Sequence, residues 1–300
     1  MRNLYQRLII LSALSCTSTL YAGNVFIEPL YWQADEPVDW AYTNNLNASN
    51  QQVAYQTSSF DSAPGLRLGF GLSGKFDNEF YFTHYKTDTK DSATGNLVSG
   101  FLGATAGKPN NAFTYDAGQF DFDLDYNLLE WDLSKDFQLN SAIKIKPLIG
   151  LAGGTIDQDL NSAFQGSINS SEKVVNDFTG IGPKAGIDAT VTLLNKNQTK
   201  LNFDAQFASY YLYGHWDLSD QYTDNTGRVI NVNLDNKTMG SLGLQAMLGF
   251  TLIHDKFSAS LGYELNTWFN QLQIFDDTTG SHDNNLALQG FNLTLRYQFG

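Results

Sequence analysis

The sequence predicts an all-β chain: a transmembrane antiparallel up-and-down β-barrel of about ten strands, with long extracellular loops and short periplasmic turns. Three observations carry this. Apolar residues recur with period two, as in strands, and not with the helical period. The periodic segments are mostly longer than the five or six residues usual in globular strands. The connections between them alternate short and long, which is how outer-membrane barrels are laced together.

Ten segments follow, at about 24–34, 64–76, 79–87, 118–137, 143–157, 178–193, 200–215, 238–253, 256–270 and 286–299. The first is the least regular. In the second, Leu66, Leu68, Phe70 and Leu72 alternate with Arg67, Gly69, Gly71 and Ser73. In the fourth, Phe120, Phe122, Leu124 and Tyr126 are outward by pattern and Asp121, Asp123 and Asp125 inward. Parity then switches to Leu129, Trp131 and Leu133, which a one-residue bulge near Asn127-Leu128 explains. The sixth alternates Ile181, Ala185, Ile187, Ala189 and Val191 with Gly182, Lys184, Gly186, Asp188 and Thr190. The eighth puts Leu242, Leu244, Ala246, Leu248, Phe250 and Leu252 on one face, and the ninth Phe257, Ala259, Leu261, Tyr263 and Leu265. A turn at His254-Asp255 sets these two apolar faces side by side. The last closes with Phe291, Leu293, Leu295, Tyr297 and Phe299. Short connections fall at Asp77-Asn78, Gln138 to Ala142, Leu194 to Thr199 and His254-Asp255. Long ones span 35–63, 88–117, 158–177, 216–237 and 271–285.

Met1 to Ala22 reads as a secretory signal, with basic Arg2 and Arg7, apolar Leu8 to Leu14, and a cut after Ala22. A lipoprotein cut before Cys16 fits poorly, because Ala13-Leu14-Ser15 precedes it. Residues 23–300 then form a single barrel without cysteine, since Cys16 is the only one. No run of about 20 apolar residues exists for a transmembrane helix. The 300 residues carry a net charge of −13, which argues against nucleic acid. Charged residues are only 16% and aromatics 14%, against a coiled coil, a disordered chain or a disulfide scaffold.

Several stretches resemble the major outer membrane protein family of Legionella. They are Phe26-Ile27-Glu28-Pro29-Leu30-Tyr31-Trp32, Leu124-Asp125-Tyr126-Asn127, Lys146-Pro147-Leu148-Ile149-Gly150-Leu151 and Phe178-Thr179-Gly180-Ile181-Gly182-Pro183-Lys184. The resemblance implies a porin-like barrel among outer-membrane lipid and lipopolysaccharide. Without a cysteine in the mature chain, any homo-oligomer is held without disulfides. Tyr297-Gln298-Phe299-Gly300 looks like the terminal signal read by the barrel-assembly machinery, with one residue added.

The expected lumen lining is Arg67, Lys75, Asp121, Asp123, Asp125, Asp132, Lys144, Lys146, Lys184, Asp188, Asp204, Glu264 and Arg296. Trp32, Tyr81, Tyr85, Phe137, Tyr211, Tyr213, Trp268, Tyr297 and Phe299 are expected in interfacial girdles. Two functions compete. One is a narrow passive channel for small cationic solutes, favoured by inward glycines read as free volume and by a first loop holding Asp35, Glu36, Asp39 and Asp61 without a base. The other is a plugged barrel displaying acidic loops, since barrels of about eight strands hold little more than side chains. A minor third is a rim protease using His215-Trp216-Asp217 and Asp276-Asp277. Gly69 to Lys75 has phosphate-loop spacing, but Phe76 replaces the required hydroxyl. No cofactor or metal motif is present.

Overall fold

A computed structural model describes residues 22–45, 52–100, 114–167, 169–223, 226–232, 235–273 and 285–300. The signal segment to Tyr21, including Cys16, and the Asp276-Asp277 pair lie outside the described residues. The strands are β1 (Gly23–Asp35), β2 (Asp39–Asn45), β3 (Gln52–Thr57), β4 (Ala63–Leu72), β5 (Asp77–Ser99), β6 (Tyr115–Ser134), β7 (Phe137–Gln138), β8 (Ile143–Gln165), β9 (Ser170–Lys196), β10 (Thr199–Thr223), β11 (Val229–Val232), β12 (Lys237–His254), β13 (Phe257–Trp268) and β14 (Leu286–Phe299).

Ten of them form a closed antiparallel ring in the order β1, β4, β5, β6, β8, β9, β10, β12, β13, β14. It closes where Gly23 pairs with Phe299 and Asp35 with Ala287. Closure removes every unpaired strand edge from the wall. Two short connections are two-residue turns, Asn197-Gln198 and Asp255-Lys256. Asn197 and Asp255 take φ of 57° and 54°, the left-handed region that Asn and Asp tolerate best. The predicted His254-Asp255 turn therefore sits one residue later, and His254 pairs with Phe257. That moves the register by two, so the apolar faces still coincide. The first short connection is Ser73–Phe76, since Asp77 and Asn78 already pair with Ser134 and Leu133.

The wall is far taller than a bilayer needs. A spanning strand takes about 9–11 residues, whereas β5 and β8 have 23, β9 has 27 and β10 has 25. Much of the sequence expected as loops at 88–117, 158–177 and 216–237 is therefore strand.

The predicted bulge in β6 is absent. Its register against β5 is unbroken from Asp77↔Ser134 to Thr94↔Ala117, and against β8 from Ser134↔Leu148 to Ala117↔Gln165. Even-numbered residues face inward along the whole strand: Phe120, Phe122, Leu124, Tyr126, Leu128, Glu130, Asp132 and Ser134 are all buried. The parity switch is a change of surroundings, not of backbone. Near the short turns the outer face is apolar (Leu129, Trp131, Leu133) and the inner face ionic. Toward the long loops the outer face is Asp121, Asp123, Asp125 and Asn127, and the inner face is aromatic.

The same inversion crosses the neighbouring strands. On β8 the outer face runs Pro147, Ile149, Leu151, then Thr155, Asp157, Asp159. On β5 it runs Phe80, Phe82, then His84, Lys86, Asp88. The lower half is built for lipid outside and polar groups inside. The upper half is built like a soluble barrel, with one apolar core from Leu30 and Trp32 through Phe122, Tyr126 and Phe178 to Trp216 and Trp268.

Two segments outside the ten-stranded ring complete that core. Val38 just before β2, Trp40 within it, and Phe60 after β3 are buried, as are Gln271 and Leu272 after β13. Trp40 stacks on Phe120 with ring centres 5.7 Å apart, and Phe60 meets Phe122 at 4.9 Å.

Candidate functional site: the filled lumen

The lower lumen is spanned by two ion-pair clusters. In one, Arg67 of β4 reaches across the barrel. Its Nη2 donates to Glu264 Oε1 at 2.9 Å, and its Nη1 to Glu264 Oε2 at 3.1 Å and to Glu28 Oε1 at 2.5 Å. The fork geometry suits guanidinium on carboxylate. Gln245 and Asn266 donate to the same Glu264, at 2.6 and 2.8 Å. In the other, Lys184 Nζ donates to Glu130 Oε1 at 2.9 Å and Asp132 Oδ2 at 2.8 Å, with the Tyr81 hydroxyl between them. Tyr81 itself donates to Asp132 Oδ2 at 2.9 Å. Lys184 is 2% and Glu264 0% exposed. Buried charges at that level persist only when paired and hydrogen-bonded.

Aromatic rings cap these clusters. Arg67 lies 5.6 Å from the Trp32 ring, and Lys184 lies 5.3 Å from the Tyr210 ring. Tyr210 and Tyr126 meet Trp268 at 5.5 and 6.3 Å, and Trp32 meets Tyr85 at 5.8 Å. Trp32, Tyr85 and Trp268 are at most 1% exposed.

Glycine does not always leave space free. A Cβ on Gly69 would lie 2.4 Å from the Phe26 ring, one on Gly214 2.2 Å from Phe178, and one on Gly243 2.9 Å from Trp268. Gly69, Gly214 and Gly243 are thus sockets for inward rings, whereas Gly249 and Gly262 line an open cavity in the lower lumen.

Nine expected lining residues face inward: Arg67, Asp132, Lys144, Lys146, Lys184, Asp188, Asp204, Glu264 and Arg296. Four do not line the lumen. Lys75 is exposed in the first short turn. Asp121, Asp123 and Asp125 face outward, because the inner positions beside them belong to the aromatic core. Of the expected girdle, Trp32, Tyr81, Tyr85 and Trp268 also turn inward. Tyr211 and Tyr213 at one level, and Phe137, Tyr297 and Phe299 near the short turns, are outward and exposed as predicted. Glu28, Glu79, Tyr81 and Gln245 were missed as polar lumen groups. Glu28 sits among Phe26, Leu30 and Trp32 on a face that alternation alone reads as apolar.

The model of the family described as Legionella pneumophila major outer membrane protein precursor matches residues 14–299. The chain belongs to this family. It is an outer-membrane protein, so the short turns face the periplasm and the tall, water-adapted half of the wall stands outside the cell. No curated protein matches this family member. Among solved structures, the outer membrane protease OmpT from Escherichia coli aligns at 10% identity and a TM-score of 0.47, covering 96% of this chain and 100% of that one. The Pseudomonas putida toluene transporter TodX aligns at 9% identity and a TM-score of 0.32, covering 92% and 89%.

On the extracellular outer face, four aspartates stand side by side. Asp125 pairs with Asp157, Asp157 with Asp177, and Asp177 with Asp217, across β6, β8, β9 and β10. Directly opposed like charges oppose sheet formation. Burial, then Asp177, Asp125 and Asp159, push the Asp157 carboxyl up to about 6. Burial and Asp159 raise Asp177 in the same direction. A carboxyl raised above its unfolded value near 3.9 binds more protons when folded, so stability falls as pH rises from about 4 to 6. Asp157→Asn is therefore expected to raise the urea midpoint at pH 7.5 and leave it unchanged at pH 3.5. An equal shift at both pH values would contradict the argument.

His215 and Asp217 lie on this same outer wall. His215 Nε2 is 3.2 Å from Asp217 Oδ1, and its Nδ1 is 3.0 Å from Thr238 Oγ1. Both side chains are about half exposed or more, at 47% and 67%.

Proposed function

We propose that this outer-membrane protein is a closed barrel that works as a surface platform. The lumen holds the wall rigid and does not conduct; the tall acidic outer half and its loops carry the interactions. The observation behind this reading is the buried aromatic layer of Trp32, Tyr85, Tyr126 and Trp268 over two ion-pair clusters. Barrels of about eight strands hold little more than side chains, and ten lies near that closed end. No catalytic step is assigned to His215 and Asp217, which face away from the barrel mouth.

A second reading, a gated cation-preferring passage, draws support from a cavity of about 330 Å³ in the lower lumen, below the aromatic layer. Recordings in a planar bilayer under a KCl gradient separate the two. The closed platform predicts no unitary steps from protein that still migrates as a heat-modifiable folded barrel. Discrete steps with a cation-shifted reversal potential would overturn it in favour of the passage.

A further inference from the structure

The ten-stranded ring has no free edge, but the β2–β3 hairpin outside it has one. Among the described residues β3 pairs with β2 alone. Ser58 N donates to Val38 O at 3.0 Å, so the backbone of Ser58 faces β2. Backbone groups of successive strand residues turn to opposite edges. Gln52, Ala54 and Gln56 therefore face β2, and Val53, Tyr55 and Thr57 present their N–H and C=O groups to the open side. The other edge of β2 agrees. Gly100 N donates to Trp40 O at 2.8 Å, so Trp40 faces β5, and the next residue, Ala41, stands opposite Gln56.

A free edge is a template for another strand, and proteins usually blunt it with lysine, proline or a covering element. The hairpin carries neither residue: Trp40 to Phe60 contains no charge and no proline, although Asp39 and Asp61 flank it. Val53 and Tyr55 are 46% and 50% exposed. The edge also stands clear of lipid. Thr43 of β2 pairs with Leu97 of β5, about 50 Å of strand beyond Phe82 in the apolar belt.

The chemistry selects the partner. A net charge of −13 makes two copies of this chain repel over most of their surface. The neutral β3 edge is where they do not, and it matches itself. Antiparallel pairing centred on Tyr55 sets Tyr55 opposite Tyr55 and Val53 opposite Thr57, and it uses every outward N–H and C=O group of both edges. Symmetry then decides where the second copy stands. The twofold axis of an antiparallel strand pair is perpendicular to the sheet. This sheet stands upright along β5, so the axis lies in the membrane plane. Two barrels in one membrane are related by an axis along its normal and cannot pair this way. Two barrels on facing membranes can.

We propose that β3 is a homotypic docking edge that joins barrels on two facing outer membranes by antiparallel strand pairing. This gives the surface platform proposed above a partner, and it rests only on the outward part of that reading. A conducting lumen would overturn the closed platform and leave the β3 contact standing.

The test is light scattering from lipid vesicles that carry many copies of the barrel refolded from residue 23. The six residues of β3 make a contact too small for a stable dimer alone, and multivalent surfaces amplify it. Wild-type vesicles are expected to cluster. Val53→Lys with Thr57→Lys sets lysine opposite lysine and abolishes clustering, and so does Val53→Glu with Thr57→Glu. Mixing the two kinds of vesicle restores it, because each lysine then meets a glutamate. Tyr55→Pro removes an outward N–H that β2 does not use, and also abolishes clustering. Heat-modifiable migration verifies that each variant is folded. Three results would overturn the proposal: wild-type vesicles that stay dispersed, clustering that survives the paired lysines or Tyr55→Pro, or folded charge variants that stay dispersed when mixed.

Discussion

Lys184→Met destabilises the folded barrel by about 3–5 kcal/mol, the usual cost of removing one partner from a buried ion pair. The size follows from what remains. Glu130 and Asp132 are 1% and 5% exposed, and Lys184 is the only cation in ion-pair contact with either among the described residues. Methionine fills much the same volume but leaves two carboxylates facing each other beside Tyr81, away from water. The deficit belongs to the orphaned charges, so the triple variant Lys184→Met, Glu130→Gln, Asp132→Asn regains most of it. Urea unfolding followed by tryptophan fluorescence measures both. A single variant costing under about 1 kcal/mol would mean that water reaches this level, and the lumen would not be sealed.

Ile149→Arg costs about 2–4 kcal/mol, whereas Thr155→Arg, six residues farther along the same outer face of β8, costs at most about 1 kcal/mol. Both side chains point outward, and Ile149 is 64% exposed on the protein surface. The difference lies in what surrounds them. Ile149 stands in the apolar belt with Pro147 and Leu151, while Thr155 is followed by Asp157 and Asp159. Six residues of strand span about 20 Å, enough to leave the hydrocarbon for water. Equilibrium unfolding in lipid vesicles reads the two costs. Equal penalties would erase the boundary drawn between the two halves of the wall.

The lower half of the barrel was legible in the sequence because lipid outside and polar groups inside produce clean alternation. The apolar faces at Leu66 to Leu72, Leu242 to Leu252 and Phe291 to Phe299 all lie outward as expected. The upper half was misread for a physical reason. Alternation reports that two faces differ, and says nothing about which one meets water. Phe120 to Tyr126 against Asp121 to Asp125 alternates as well on a soluble wall as on a lipid-facing one, with the faces exchanged. A bulge and a change of solvent leave the same trace in sequence. Pairing register separates them, and register is unbroken there. The charged lining of the lower lumen was partly legible. Arg67, Lys184, Asp132 and Glu264 were placed inward by parity, but their pairing across the lumen joins positions up to 197 residues apart and leaves no local signal. The loops hid strands for a related reason: polar residues in a strand above the membrane look like loop composition.

The barrel is one continuous wall whose upper interior is packed with aromatic side chains. From Gly23 onward the chain has no cysteine, so single-cysteine spin labels can be placed along β6 without background. Collision with a water-soluble nickel chelate and with oxygen then reports the surroundings of each position. Nickel access is expected at 121, 123 and 125, oxygen access at 129, 131 and 133, and access to neither at 120, 122, 124 and 126. Nickel reaching the even positions, or a switch of parity at Asn127, would contradict it.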